Sequence, residues 1–221
     1  MSVFLITGAN RGIGLELSKQ ICHRGDKVIA TCRKTSIELD ALGVEVIENI
    51  DISSFKSISI LKNNLNNIKL DGLFHNAGIL ENNSFDSLDA ESIKRQFEVN
   101  ALSPLLITIE ILPYLNNYSK IAFITSRMGS ISDNTSGGSY GYRMSKVALS
   151  MAARSLSIDL LKRNIYVAII HPGLVRTRMT GFTKNGISTE HSVKGILERL
   201  DQLDKNNTGT FWHSNGEILP W

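Results

Sequence analysis

Tyr142 and Lys146 stand four residues apart in the run Tyr142-Arg143-Met144-Ser145-Lys146, a spacing that sets a phenol and an ammonium on one face of a helix. A phenol titrates near pH ~10, too high for easy proton exchange at neutrality, but an adjacent cation favours phenolate and lowers that value. Tyr142 then becomes a usable general acid/base. Upstream, Thr125-Ser126-Arg127-Met128-Gly129-Ser130 follows an apolar run and puts a hydroxyl where it can polarise a carbonyl group. Ser126 is the first candidate and Ser130 the reserve; local turn bonding is the rival role for either. Asn100, in Glu98-Val99-Asn100-Ala101, falls inside a helical pattern, where an amide is mildly unfavourable and needs a purpose.

A second set of residues suits a nucleotide. Thr7-Gly8-Ala9-Asn10-Arg11-Gly12-Ile13-Gly14 follows the first apolar run and opens a helix. There, unpaired N–H groups and the helix dipole converge on a pyrophosphate that a Cβ would block. The spacing is Gly-x3-Gly-x-Gly, which departs from the Gly-x-Gly-x-x-Gly dinucleotide fingerprint. After the second run, where a free ribose 2′-hydroxyl calls for a carboxylate, stands Arg33. With Arg11 it could clamp a 2′-phosphate, which favours NADP(H) while leaving NAD(H) open; otherwise both are solvated arginines. Asp51-Ile52 could hold an adenine ring, or Asp51 could be a helix cap. Asn76-Ala77-Gly78, after His75, places small residues and an amide where backbone approaches a ligand, although Asn76 alone suits a turn. His171-Pro172-Gly173-Leu174-Val175-Arg176-Thr177 forms a rigid turn able to bind a nicotinamide carboxamide, with His171 itself structural. A cationic nicotinamide ring would add to Lys146 in favouring phenolate at Tyr142.

These groups need a scaffold that brings them to one edge. Seven short β-rich apolar runs (3–7, 28–32, 44–47, 72–75, 121–125, 165–171 and 208–212) alternate with helical stretches near 13–24, 54–65, 89–115, 140–163 and 189–203. Gly25 is placed as the C′ residue of the first helix. The alternation predicts a doubly wound Rossmann-type α/β fold, with a seven-stranded, mostly parallel sheet covered by helices on both faces and ligands at the strands' C-terminal ends. The Asn-rich patches at 63–67 and 116–117 read as loops, and no linker divides 1–221.

Composition narrows the function further. The chain has 221 residues, 42% of them hydrophobic and 20% charged, which suits one globular domain. A net charge of +3, spread along the chain, marks no nucleic-acid surface. Cys22 and Cys32 fit neither a disulfide framework nor a zinc site and read as small buried hydrophobes in a reducing compartment; no metal site is expected. The N-terminal apolar run lacks a basic flank and is too short for a signal or membrane span, so the expectation is a cytoplasmic protein with no membrane or nucleic-acid partner.

Taken in order, Thr7-Gly8-x3-Gly12-x-Gly14, Asn76-Ala77-Gly78, Asn100, Ser126, Tyr142-x3-Lys146 and Pro172-Gly173 closely resemble the short-chain dehydrogenase/reductase family over residues 3 to about 178. Tyr140-Gly141-Tyr142-Arg143-Met144-Ser145-Lys146 and the ending Gly216-Glu217-Ile218-Leu219-Pro220-Trp221 look like its carbonyl-reductase and C-factor-like branch. The resemblance implies that Tyr142 donates a proton to the carbonyl oxygen, Ser126 orients that carbonyl, and Lys146 binds nicotinamide ribose and lowers the phenol's pKa. It also implies that Asn100 anchors a water relaying protons to Lys146. Thr7, Asn10, Ile13, Asp51, Asn76, Val175 and Thr177 would line the cofactor, and Arg11 and Arg33 mark NADP(H) users. The implied reaction is hydride transfer from NADPH to a small aldehyde, ketone or quinone. The alternatives are a secondary-alcohol dehydrogenase and an NAD(P)-binding sensor of C-factor-like type. Helices 89–115 and 140–163 form the dimer interface of many relatives, so a homodimer is implied as well. The chain departs from the family in three places: His75 stands where Asn is commoner, Ser126 and Tyr142 are 16 apart, and the segment after Thr177 is short. A short covering segment implies an open pocket and loose selectivity.

Overall fold

The computed structural model describes residues 1–221. Seven strands form one sheet in the order β3-β2-β1-β4-β5-β6-β7: β1 Val3–Thr7, β2 Lys27–Thr31, β3 Glu45–Ile47, β4 Leu70–His75, β5 Leu115–Ile124, β6 Tyr166–His171 and β7 Phe211–His213. Every strand pair is parallel. The helices are α1 Gly12–His23, α2 Ile37–Asp40, α3 Phe55–Leu65, α4 Ala90–Phe97, α5 Ser103–Ile111, α6 Tyr140–Asp159 and α7 Thr189–Asp201.

Both faces of the sheet are covered because successive strand residues point to opposite sides and nearly all are apolar. Leu5, Leu73, Ile121, Phe123 and Ile169 join the core under α3, α5 and α6. Their neighbours Ile6, Phe74, Ala122, Ile124 and Ile170 join the core under α1 and α7. The chain winds outward from β1 in one direction and then, from β4, in the other, so β1 and β4 part at their C-terminal ends to form the crevice where such sheets hold ligands. α1 closes as expected: Gly25 takes φ +82°, its N–H donates to Cys22 O at 2.9 Å and the Asp26 N–H to Ile21 O at 3.3 Å. Cys22 and Cys32 are both free thiols raised by burial. No helix is long and apolar enough to cross a membrane.

Several expected boundaries move. The helix expected over 89–115 is interrupted by a π-turn at Glu98–Leu102 and ends in a 3₁₀ turn at Leu112–Tyr114. α6 stops at Asp159, before a 3₁₀ turn at Leu161–Arg163. Asn116 and Asn117 lie inside β5, which starts six residues earlier than its apolar run, because Leu115 pairs with Leu70 across a register shift. Asn63 and Asn64 belong to the last turn of α3, which ends at Asn66 in a positive-φ conformation. The last strand is Phe211–His213, three residues later than its run. The short α2, capped by the Ser36 hydroxyl on the Leu39 N–H, has no periodic signal to announce it.

Candidate active site

The crevice between β1 and β4 is laced by Thr7 and Asn76. The Thr7 hydroxyl donates to Phe74 O at 3.2 Å and accepts from the Asn76 and Ala77 N–H groups, each at 3.1 Å. Asn76 Nδ2 returns to Thr7 O and Gly8 O, each at 3.0 Å. This packing explains two glycines. A Cβ on Gly14 would stand 2.2 Å from Gly8 O and 2.5 Å from Asn76 Nδ2; one on Gly8, which has φ +68°, would press on Ala77. Arg11, the residue before α1, makes no side-chain cap, so the first N–H groups of the helix stay available to an anion. Gly12 and the half-buried Ile13 form that first turn, and the space beside Gly12 is closed by Thr177.

Asn10 Nδ2 donates to Lys34 O at 2.8 Å and so ties the glycine loop to the end of β2. Arg11, Arg33 and Lys34 are all exposed there, and none is paired with a carboxylate. Lys34 was missed in the sequence; its adjacency to Arg33 was the available signal. Asp51 does not cap α3, whose N-cap is Ser54. Its Oδ1 instead accepts from the Ser53 N–H and hydroxyl at 3.1 and 2.7 Å, beside a buried Ile52. After β6, Pro172 O accepts from Ser192 and Ser214 hydroxyls, Gly173 takes φ +87°, and Val175 is buried. Thr177 precedes a 3₁₀ turn at Arg178–Thr180, its N–H donating to Thr180 Oγ1 at 3.1 Å and its carbonyl accepting from the Thr180 N–H at 3.2 Å. The short segment that follows rejoins the body where Ile187 bridges Val175.

Beside this crevice, α6 presents Tyr142 and Lys146, which are 7% and 5% exposed, with Lys146 Nζ 5.7 Å from the centre of the Tyr142 ring. Lys146 Nζ donates to Ile124 O, the last residue of β5, at 3.0 Å. Ser126 follows and caps a 3₁₀ turn at Arg127–Gly129, its Oγ accepting from the Met128 N–H at 3.1 Å. The turn presses on α6, since a Cβ on Gly129 would fall 2.8 Å from the Lys146 carbonyl carbon. Ser126 lies near enough to Tyr142 to favour its phenolate form, whereas Ser130 is buried and accepts from the Asp133 N–H, a turn role.

Asn100 lies in the π-turn, fully buried. Its Oδ1 accepts from the Ile79 N–H at 2.8 Å, and its Nδ2 donates to Ile79 O at 2.8 Å and to Ser145 Oγ at 3.0 Å. Both Nδ2 hydrogens and one lone pair of Oδ1 are thus taken up by protein, and the side chain braces the segment after β4 against α6. Gly78 fits beneath it, with Asn100 Oδ1 and Lys146 Nζ 3.0 and 3.7 Å from where a Cβ would stand.

The electrostatics also depart from expectation. Burial pushes Tyr142 up to about 12, outweighing the lowering by the nearby Ser126 side chain, and burial pulls Lys146 down to about 8. Proximity of the two side chains suggested a lowered phenol; in the protein alone, desolvation dominates, and Tyr142 holds its proton at neutral pH.

His75 bonds not to a strand but to α5. Its Nε2 lies 2.8 Å from Thr108 Oγ1, which itself donates to Pro104 O, and its ring stacks on Phe123. Burial lowers its pKa to about 3. Between about pH 6.5 and 3 an unfolded imidazole therefore takes up a proton that the folded one refuses, so stability falls as pH drops through that window. His75→Asn should flatten the loss of urea-unfolding stability between pH 7 and 4.5; equal losses in both proteins would contradict this. His171 is also pulled down to about 3, mainly by burial, and packs edge-on against His213 with an enclosed, unpartnered Nδ1, in keeping with a structural role.

The family described as short chain dehydrogenase matches residues 2–187. The chain is 38% identical over 226 residues to the 1-hydroxy-2-glutathionyl-2-methyl-3-butene dehydrogenase of Rhodococcus sp. (strain AD45), covering 100% of both chains. It is 39% identical over 155 residues to the C-signal protein of Myxococcus xanthus, covering 69% of this chain and 93% of that one. Among solved structures, the NADPH-bound carbonyl reductase from chicken fatty liver superposes with a TM-score of 0.91 at 27% identity, over 100% of this chain and 99% of that one. The carbonyl reductase Sniffer of D. melanogaster gives 0.90 at 28% identity over 100% of both.

Proposed function

Because the chain belongs to the short-chain dehydrogenase/reductase family, on its carbonyl-reductase and C-signal-like side, we propose that it reduces the carbonyl group of small aldehydes, ketones or quinones at the expense of NADPH. The observation that carries this reading is the meeting of Tyr142, Ser126 and Lys146 beside a glycine cradle at one sheet edge.

Thr7, Gly8, Asn10, Gly12, Ile13 and Gly14 would hold the pyrophosphate half of the dinucleotide, with Asp51 and Ile52 at the adenine and Asn76, Ala77 and Gly78 under the nicotinamide half. Pro172, Gly173, Val175 and Thr177 would close over the carboxamide. Bound there, the cofactor supplies hydride from C4 of its nicotinamide to the substrate's carbonyl carbon. Tyr142, protonated at neutral pH, gives its phenolic proton to the carbonyl oxygen, and Ser126 donates a hydrogen bond that holds that oxygen in line. Lys146 places a positive charge beneath the developing phenolate and holds the nicotinamide ribose. Asn100 acts one step back, fixing Ile79 and Ser145 so that α6 keeps its place.

Arg11 and Arg33, with Lys34, would form the cationic rim that meets a 2′-phosphate. Two structural relatives support that choice: the chicken carbonyl reductase is NADPH-bound, and a short-chain dehydrogenase/reductase from Burkholderia multivorans has bound NADP. Arg33→Asp should shift preference toward NADH by about a hundredfold in the ratio of kcat/KM values, an effect that corresponds to roughly 3 kcal/mol of lost charge-assisted bonding. An unchanged ratio would remove the arginine from the account. The primary test is loss of the reduced-nicotinamide absorbance with each cofactor across a panel of carbonyl compounds. No oxidation above background would favour the sensor alternative.

A second reading has its own support. The Rhodococcus relative is named for dehydrogenation of a 1-hydroxy compound, a primary alcohol, so oxidation of alcohols belongs in the same panel with NAD and NADP as acceptors. Pairing of two copies would use α4, α5 and α6, which leave Phe97, Ile109, Met144 and Met151 exposed.

A further inference from the structure

The ending Gly216-Glu217-Ile218-Leu219-Pro220-Trp221 has no part in the chemistry above, yet it reaches the catalytic turn. After β7 the chain reverses: Ile218 bridges Trp212 in antiparallel fashion, the His213 N–H donates to Glu217 O at 2.8 Å, and the Leu219 N–H to Phe211 O at 2.8 Å. The reversal covers the free edge of the sheet. Trp221 stacks on Phe211, 5.4 Å between ring centres, and its main-chain oxygen accepts from both the N–H and the hydroxyl of Ser132, at 3.0 and 2.9 Å. Ser132 lies in the loop that joins Ser126 to Tyr142. That loop carries two glycines at positive φ, Gly137 and Gly138.

Arg127 connects the same pieces. Its Nη2 donates to Glu217 Oε1 at 2.6 Å, and its Nε stands 3.0 Å from Asp133 Oδ2, a charge contact whose two atoms are enclosed without hydrogen-bond geometry. Arg127 is the first residue of the 3₁₀ turn that Ser126 caps, so the direction of the Ser126 hydroxyl follows the placing of that turn. The other side of the turn is held from α6, where Arg143 donates to Met128 O, Gly137 O, Gly138 O and Ser136 Oγ.

We propose that Arg127 is a positioning residue, and that the Asp133–Arg127–Glu217 bridge, together with the Trp221–Ser132 bond, straps the long loop to the sheet edge and keeps the Ser126 hydroxyl beside Tyr142. The inference rests on the reading of Ser126 and Tyr142 as the reacting pair. The three bridging side chains are 41%, 30% and 49% exposed, and pairs that wet contribute little to global stability. Their effect is on local geometry: without the strap, a flexible loop leaves the turn free to rotate, and the serine loses its place beside the phenol.

The test uses the full chain with Glu217→Gln, Asp133→Asn and the conservative Glu217→Asp. Hydrogen exchange at the Met128 and Gly129 amides should quicken about fivefold in Glu217→Gln and Asp133→Asn and stay near wild type in Glu217→Asp, with the α1 amides unmoved. On a carbonyl compound that the wild type reduces, kcat should fall about fivefold in the first two variants while KM for NADPH stays within twofold. Unchanged exchange at Met128, or exchange that rises across the whole sheet with NADPH binding weakened in parallel, overturns the proposal. If the wild type reduces nothing on the panel, the function reading fails by itself, and the exchange data alone decide the strap.

Discussion

Tyr142→Phe binds NADPH as tightly as the parent protein and reduces carbonyl compounds about a thousandfold more slowly, within the range that a positioned general acid contributes. The substitution removes one oxygen from a side chain that is only 7% exposed, and the ring keeps its packing. Lys146 loses the group it faces but retains its bond to Ile124 O. What disappears is the proton that the carbonyl oxygen needs as hydride arrives; Ser126 remains, able to orient that oxygen but not to protonate it efficiently. Single-turnover kinetics with NADPH in excess, beside cofactor fluorescence titration, separates the chemical step from binding. A rate within tenfold of the parent would show that another group delivers the proton.

The second large effect is expected at Lys146. Lys146→Met should lower kcat/KM by about a hundredfold, since it removes a charge that stabilises the developing phenolate and a donor to the nicotinamide ribose. The pH profile gives the sharper signature. With its pKa pulled down to about 8 by burial, Lys146 is charged below that pH and neutral above it, so reduction should be flat toward neutrality and decline above about pH 8. Tyr142, pushed up to about 12, contributes no limb in that range. Lys146→Met should therefore lose the decline as well as most of the rate. A stability consequence runs the other way. Between about pH 8 and 10.5 the unfolded lysine keeps a proton that the folded one has released, so parental stability gains a rising component across that window, which the methionine variant lacks. An alkaline limb near pH 8 that persists in Lys146→Met would assign it to another group.

How much of this could be read in advance depended on whether the signal was local. Strand-length apolar runs alternating with helical stretches announced the parallel sheet, because burial on both faces demands continuous apolar strands. Gly25 was readable as a helix end because only a residue tolerant of positive φ closes α1 as it does. The glycine loop and the Tyr142-x3-Lys146 pair were legible from chain position and spacing. The π-turn at Glu98–Leu102 was not: no Pro or Gly marks it, and the clue was the polar Asn100 inside an apolar pattern. Lys34 was legible from its adjacency to Arg33, whereas the Asn10 bond to its carbonyl, across 24 positions, was not. Sequence spacing reveals the charge beside Tyr142 but not the desolvation that, in the protein without cofactor, outweighs it. The strap from Glu217 to Arg127, 90 positions apart, is a tertiary contact of the same kind.

The account turns on whether the Tyr142 hydroxyl and the Lys146 amine look onto a dinucleotide lying across the carboxyl ends of β1 and β4. A crystal structure of the protein grown with NADPH tests that directly. It should show the pyrophosphate over Gly12–Gly14, the 2′-phosphate among Arg11, Arg33 and Lys34, and the nicotinamide ring within reach of Tyr142 Oη. Density for the cofactor elsewhere, or a Tyr142 hydroxyl sealed away from the ring, would contradict it.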